Sequence, residues 1–389
     1  MQTKLGISVY PDIQSFEEIE AYIRLASAYG YSSLFSSMFS VEGTTDEVRD
    51  YFIRLIRTAH QYNMSVALDV NPQCFARFQA DYDDIRVFAA MEVDILRMDM
   101  SFGAEKDSVL INNPYGIRIM FNATGIQPAY VKDLRKYQAD FSRLCSGHNF
   151  YPQRYTGLKM QTFTETNRFL KKEGIHVQAF VASQSENTCG VWDATDGLPT
   201  VELMRDMPID RQARIMMALG NVDEIMIGNA CASKEELKAL RDTVREADVD
   251  YESPLIRMMI EYGARKEMFE TQKKLKVCPS KDITDTERKI LFDYFPHFDA
   301  GDSSEWIWRS RFPRMMHPDI PFRETEGDFL TEGSVLIVNN NYAHYAGEIQ
   351  IALRPLKNDG QRNVIATIEE EEMEVLKLIG DREVVVFTE

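Results

Sequence analysis

The chain has 389 residues, 44% of them hydrophobic and 27% charged, with a formal net charge of −17. That length allows one large domain and a smaller one, each with a core of its own. No segment approaches the ~18 uncharged apolar residues of a membrane span, and an acidic chain without a basic, aromatic-interleaved tract is not built for nucleic acid.

The five cysteines, Cys74, Cys145, Cys189, Cys231 and Cys278, are odd in number and show no CxxC or Cys/His spacing. They read as packing residues, not as a disulfide framework, a zinc site or nucleophiles. The N-terminal stretch MQTKLGISVYPDIQSF enters a strand-like run and a helix without the basic start and cleavage site of a signal peptide, so the cytoplasm is the expected compartment. An anionic ligand would need a local cluster of Arg or Lys to overcome the overall field.

From residue 1 to about 246, short β-branched or aromatic runs alternate with longer amphipathic segments, the pattern of βα units on a parallel sheet. Eight strands are predicted: Leu5 to Tyr10, Ser32 to Ser37, Ser65 to Val70, Asp94 to Met98, Ile117 to Phe121, Cys145 to Phe150, Ile175 to Val181 and Glu224 to Ile227. Between the first two, Phe16, Ile19, Ile23 and Ala26 recur at helical spacing over Ser15 to Tyr29. A long loop, Ser183 to Pro199, precedes a predicted helix over Thr200 to Leu219. Eight units in this length fit the usual ~250-residue (β/α)8 TIM barrel. A doubly wound sheet is the alternative, because periodicity does not show closure.

The barrel is therefore assigned to residues 1–250 and a smaller β-rich domain to 251–389. Tyr251 to Lys276 is charged and ambiguous, and Thr284 to Phe295 reads as a helix. The apolar runs SVLIVNN, GEIQIALRPL, NVIATI and EVVVFT read as strands, with the helix-like EEEEMEVLKLIG among them.

In a parallel barrel the chemistry gathers at the C-terminal strand ends. These ends carry Ser8, Tyr10 and Pro11; Phe35, Ser36 and Ser37; Asp69 and Asn71; Arg97 and Asp99; Asn122 and Thr124; then HNFYPQRYTGL, VASQSEN and IGNA. Thr124, Ser183 and Asn229 suit helix caps as well as ligands. In DILRMDMSF the alternation of a strand puts Arg97 and Asp99 on one face. Arg97 lies a layer deeper; it is kept among the substrate-facing candidates, but its more natural task is to orient an acid. Neighbouring strands lie ~4.8 Å apart, which can bring Asp69 and Asp99 within several ångströms of each other. Paired carboxylates serve glycosidic hydrolysis, one as proton donor and the other as nucleophile or base. They can also hold a divalent metal, although further carboxylates and a His-rich set are lacking at the other ends, so no metal and no cofactor are assigned. Glu42 is a third acid, in a loop where glutamates are commonly solvated.

HNFYPQRYTG concentrates His148, Asn149, Tyr151, Arg154 and Tyr155, which suits a sugar ring on tyrosine and an anion on Arg154. Arg309 and Arg311 in WIWRSRFPR form another basic point beside Trp306 and Trp308. With Tyr342, Tyr345 and Glu348 they read either as a cover for the barrel mouth or, equally, as the small domain's own core. GxGxxG, GxxxxGK[ST], GxSxG and HExxH are all absent.

GISVYP, SLFSSMFS, LDVNP, LRMDMSFG, FNAT, HNFYPQRYTGL, DGLPTVELMR, IGNA, WRS and YAGEIQI follow one another in this order over almost the whole chain. In this it resembles the 6-phospho-N-acetylmuramidase family of glycoside hydrolases, bacterial proteins with a TIM barrel followed by a cyclophilin-like β-barrel domain. The resemblance implies intracellular cleavage of the disaccharide of N-acetylmuramic acid 6-phosphate and N-acetylglucosamine in peptidoglycan recycling. It places the family's acids on Asp69 and Asp99, and its amide and aromatic positions on Asn122, Asn149 and Tyr151. Residues 251–278 and FPHFDAGDSSEW match more loosely, which leaves a related phospho-glycosidase with a different phosphorylated substrate as an alternative.

The expected partner is thus a small phosphorylated amino-sugar disaccharide, with neither nucleic acid nor membrane involved; a homo-oligomer is compatible with the sequence. The substrate-facing set is Tyr10, Asn71, Arg97, Asn122, Asn149, Tyr151, Arg154 and Arg309. A phosphosugar isomerase or aldolase would need a lysine or metal at a strand end. A phosphosugar-binding or regulatory protein with a non-catalytic barrel would bind the disaccharide without cleaving it.

Overall fold

The computed structural model describes the chain except for residues 1–2, 39–40, 192–193, 248, 294–295 and 381. It divides into two compact units, residues 1–213 with 220–243, and residues 214–219 with 244–389.

In the first unit, among the described residues, eight parallel strands close into a barrel: β1 (Lys4–Val9), β2 (Ser33–Ser37), β3 (Ser65–Val70), β4 (Ile95–Met98), β5 (Arg118–Asn122), β6 (Leu144–Gly147), β7 (His176–Val181) and β8 (Glu224–Ile227), with β8 pairing back onto β1. Closure removes both sheet edges, so every strand is paired on two sides. The strands are buried on both faces, which is why they read as near-continuous apolar runs.

Helices α1 (Phe16–Ala28), α2 (Thr45–Gln61), α3 (Pro72–Arg77), α4 (Arg86–Ala90), α5 (Ala104–Ile111), α6 (Pro128–Lys136), α7 (Met160–Lys172), α8 (Ile209–Leu219) and α9 (Lys234–Val244) follow the strands. Their starts are written locally. Ser15 and Thr44 close capping boxes with Glu18 and Glu47, and Asn71 caps α3 ahead of Pro72.

Two expected elements differ in extent. The sixth strand stops at Gly147: His148 N still donates across to Gln178 O at 3.0 Å, but beyond it the chain leaves the ladder and Tyr151 N donates to Pro199 O at 3.1 Å instead. The helix expected over Thr200 to Leu219 is a single 3-10 turn at Glu202–Met204 and then α8, with Pro208 between them. Proline lacks the N–H a continuous helix needs and clashes with the preceding turn.

In the second unit, strands β9 (Lys273–Pro279), β10 (His297–Phe298), β11 (Ile307–Ser310), β13 (Ser334–Val338), β14 (Ile349–Ala352), β16 (Arg362–Ile368) and β17 (Val384–Thr388) form a sheet in the order β10-β17-β9-β16-β13-β14-β11. Only β17 and β9 pair in parallel among these described neighbours. A separate two-stranded ribbon joins β12 (Phe329–Leu330) to β15 (Leu356–Lys357). The ambiguous stretch after residue 250 becomes α10 (Pro254–Glu261), α11 (Lys266–Glu270) and the start of β9. The predicted helix at 284 is α12 (Asp285–Phe292), capped by Thr284; the predicted end at Phe295 lies outside the described residues. A short α13 (Met373–Leu378) precedes β17. Ile256, Met259, Phe269, Phe298, Phe312 and Val384 pack together as the core of this unit. The architecture is α/β overall, a TIM-like barrel followed by a smaller barrel-like sheet domain.

Candidate active site

The strand register sets the site. Ser37, Asp69, Arg97 and Met120 are successive cross-strand partners on β2 to β5, so Asp69 at the end of β3 lies directly beside Arg97 on β4. Arg97 Nη1 donates to Asp69 Oδ1 at 2.6 Å, with the two residues only 6% and 7% exposed. Its Nη2 donates to Asn149 Oδ1, just past the end of β6. The guanidinium also lies 5.9 Å from the centroid of the Phe35 ring. Phe35, Phe150 and Phe180 meet edge to face, with centroids 5.2–5.9 Å apart, and pack with Met226 as an apolar layer. In this dry setting an ion pair is stronger than in water, and an unpaired charge would be costly.

Asp99 sits two residues further along, just past the end of β4. Its amide carries the ladder past β4 by donating to Val70 O at 3.0 Å, whereas its side chain is exposed and makes no hydrogen bond or ion pair among the described residues. Burial pushes the Asp69 carboxyl above the usual carboxylate range; Arg97 opposes the rise and the charge of Asp99 adds to it. The two carboxyls are therefore electrostatic neighbours, one buried and anchored, one open to solvent.

Asn149 is itself held in place. Thr200, fully buried, donates its hydroxyl to Asn149 O at 3.0 Å and accepts from Phe180 N at 2.9 Å. Half-buried Tyr151 follows, its amide donating to Pro199 O at 3.1 Å, and its phenol is raised by burial while the charge of Arg97 pulls the other way. Beside Asp99 a cavity of about 290 Å³ is lined by Asn122, Ser101 and Tyr130 over an apolar floor of Met98, Phe121 and Ile126. Asn122 Oδ1 accepts from Thr124 N and Oγ1 at 3.1 and 2.8 Å. Behind it, fully buried Asp107 accepts from Ser101, the Phe102 amide and the Tyr130 hydroxyl.

Other predicted residues take different places. Tyr10 is 1% exposed, and its hydroxyl donates to Gly228 O, tying the end of β1 to that of β8; burial raises its phenol far above the ordinary value. Gly228 also lies close against Leu198, where a Cβ would come within 2.2 Å of Leu198 O. Asn71 Oδ1 accepts from Cys74 N at 2.9 Å. Arg154 pairs with Asp206 at 2.7 Å and Asp196 at 3.4 Å near the surface. Arg309 lies in the second unit, paired with Glu348. His148 is fully buried, its Nε2 2.6 Å from Asn167 Oδ1, and desolvation lowers it to about 4, so it is uncharged at neutral pH. Ser183 and Asn229 bond each other at 2.8 and 2.9 Å, and Glu42 is exposed. Among the described residues there is no group of three His, Cys, Asp or Glu that would hold a metal ion.

Several contributors carried no separate sequence signal. Thr200 and Arg205 stand in DGLPTVELMR, but only the fold shows their work. Arg205, 2% exposed, bonds Glu202 and the carbonyls of Gln153, Asp196 and Gly197. Glu202 in turn accepts from the amides of Tyr155 and Gly157 at 2.7 and 2.8 Å. With Arg205 foremost, these donors pull its carboxyl down to about 2, so the HNFYPQRYTG loop is clamped at every neutral or mildly acidic pH.

Residues 5–242 match the family model described as 6-phospho-N-acetylmuramidase, N-terminal, and residues 273–388 match the corresponding C-terminal model. The chain belongs to the 6-phospho-N-acetylmuramidase family. Both units are thus accounted for by one family, whose name denotes a glycosidase. Among solved structures, the chain is similar to an uncharacterized B. cereus protein, with 33% identity, a TM-score of 0.83 and 100% of both chains covered. It is also similar to a conserved Enterococcus faecalis protein of unknown function, with 25% identity and a TM-score of 0.65 over 99% of this chain and 96% of that one. No curated protein matches. Among the described residues no helix is long and apolar enough to cross a membrane.

Proposed function

We propose that this 6-phospho-N-acetylmuramidase family member hydrolyses the glycosidic bond between N-acetylmuramic acid 6-phosphate and N-acetylglucosamine in the cytoplasm, as a step of cell-wall recycling. The observation that carries the reading is the pairing of a buried, arginine-anchored Asp69 with an exposed Asp99 at the C-terminal end of the barrel.

Two carboxyls in unlike environments suit two roles. Asp69, whose proton affinity is raised by burial, is the proton donor to the leaving oxygen. Asp99, open to solvent, is the ionised partner that attacks the anomeric carbon or activates water. Arg97 holds Asp69 in one orientation and links it to Asn149, and Tyr151 offers an aromatic face beside that pair. Tyr10 shapes the mouth by fastening the end of β1 to that of β8, Asn71 does so by capping α3, and Arg154 is the near-surface cation of the HNFYPQRYTG loop.

The test is turnover of 6-phosphorylated and unphosphorylated muramyl disaccharides by the full chain and by Asp69→Asn and Asp99→Asn. Cleavage of the phosphorylated form alone, lowered on the order of 100- to 10,000-fold by either substitution, is expected. Near-wild-type turnover in both variants would sink the assignment of roles. Binding of the disaccharide without release of a reducing sugar would remove the hydrolytic reading altogether.

A further inference from the structure

The second unit carries a polar relay that its own stability does not explain. Across β11, β14, β13 and β16, Arg309, Gln350, Leu336 and Val364 lie at partnered positions, with Arg362 opposite Val338 one step on. Arg309 grips fully buried Glu348 through Nε and Nη2 at 2.9 and 2.6 Å. Gln350 Nε2 donates to the same carboxylate at 2.8 Å, and Arg362 Nε donates to Gln350 Oε1 at 2.8 Å. A continuous row of planar hydrogen-bonding groups therefore runs over the sheet. Ion pairs this buried are weak contributors to stability, because desolvation offsets most of their attraction.

The row forms the floor of a cavity of about 230 Å³. One wall is the pair Tyr342 and Tyr345, stacked with centroids 5.1 Å apart at 29°, and the Arg309 guanidinium lies 5.6 Å from the Tyr345 ring. Tyr342 is 47% exposed, a large aromatic surface left to solvent. It is positioned by a 3-10 segment, Asn340–Tyr345, whose cap Asn339 is itself fully buried and bonded to Gly360 O and Asn363 Oδ1. Gln361 and both tyrosines also line the cavity, and the Gln361 side-chain amide and the two tyrosine hydroxyls make no hydrogen bond among the described residues, the Gln361 backbone N–H donating to Asp359 Oδ1 at 3.0 Å.

Charge decides the class of ligand. Among the residues that line the cavity, Arg309 and Arg362 are matched by Glu348 and Asp302, and both carboxylates are also met by arginines outside the lining, Glu348 by Arg314 at 3.6 Å and Asp302 by Arg311 at 3.0 Å, so the lining itself offers no surplus positive charge to a phosphate or carboxylate. What it offers is an apolar aromatic plate next to mixed, rigid donors and acceptors, which fits a neutral ring with hydroxyls at its rim and C–H bonds on its face. We infer that this cavity is a saccharide-binding site for an uncharged sugar ring, with Tyr342 as its stacking platform and Gln361 and Arg362 as its hydroxyl partners.

The inference does not depend on the hydrolytic reading, and one experiment separates the two. Saturation-transfer NMR with N-acetylglucosamine on the full chain is expected to show transfer concentrated on one face of the pyranose. Tyr342→Ala and, independently, Gln361→Ala are expected to weaken the affinity by about tenfold, with an unchanged melting temperature because both side chains are solvent-accessible. Asp99→Asn is expected to bind as the wild type does. Absence of transfer, affinity untouched by both cavity substitutions, or affinity lost in Asp99→Asn instead would each overturn the inference, as would tighter binding of glucose 6-phosphate than of the neutral sugar. None of these results bears on turnover, which is read from the Asp69 and Asp99 variants.

Discussion

Arg97 and Asp69 occupy in-register positions on adjacent barrel strands and form a buried ion pair of 2.6 Å, with Asn149 taking the second arm of the guanidinium. The pair makes Arg97 the link between the third, fourth and sixth strand ends, and its removal has thermodynamic as well as chemical consequences.

Arg97→Gln leaves the Asp69 carboxyl buried without its cation. Breaking a buried pair from one side typically costs about 3–5 kcal/mol, and urea unfolding at neutral pH is expected to show a loss of that order. The sign of its pH dependence follows from Asp69. Its folded-state pKa is already raised by burial, and losing Arg97 raises it further. Stability is then retained at low pH, where the carboxyl is protonated, and lost as pH rises through the folded value. The deficit is expected to be larger at pH 8 than at pH 5; an equal deficit at both would place the cost in packing instead.

The same proton governs catalysis if Asp69 is the donor. The alkaline limb of kcat/KM is expected above the ordinary carboxylate range. Arg97→Lys, whose point charge cannot serve Asp69 and Asn149 in the same fork, weakens the influence that lowers the pKa and is expected to move that limb to higher pH. A limb that stays fixed in Arg97→Lys assigns it to another group.

Thr200→Val removes the acceptor of the Phe180 amide and the donor to Asn149 O at nearly constant shape. An unsatisfied buried amide costs about 1–3 kcal/mol, so chemical denaturation is expected to report a destabilisation in that range. Because Asn149 loses its backbone anchor, KM for the disaccharide is expected to rise more than kcat falls.

Arg205→Ala strips Glu202 of its cation and three loop carbonyls of their donor. The HNFYPQRYTG loop is expected to open, and limited proteolysis should then cut near Tyr155, which is already 84% exposed. A protease-resistant loop in Arg205→Ala would show that Glu202 and its two backbone amides suffice to hold it.

Much of this architecture is local information. The strand starts at Ser65 and Glu224 and the helix openings at Ser15 and Thr284 follow from short-range periodicity and side-chain chemistry. Such features need only a few neighbouring residues, so they can be read from the chain alone. Register cannot. Which residue of β3 stands beside Arg97 is decided by closing an eight-stranded ring, and a slip of one position would turn Asp69 to the other face. The clamp of Glu202 on Tyr155 and Gly157, and the anchoring of Asn149 by Thr200, likewise join segments 45–51 residues apart. In the second unit the strand order that lays Arg309, Glu348, Gln350 and Arg362 in one row draws on residues from three separate runs. The sequence by itself determined which chemical groups this protein has and on which local faces they stand; the tertiary structure decided which of them meet, because hydrogen-bonded register between distant strands is a property of the closed fold and not of any segment within it.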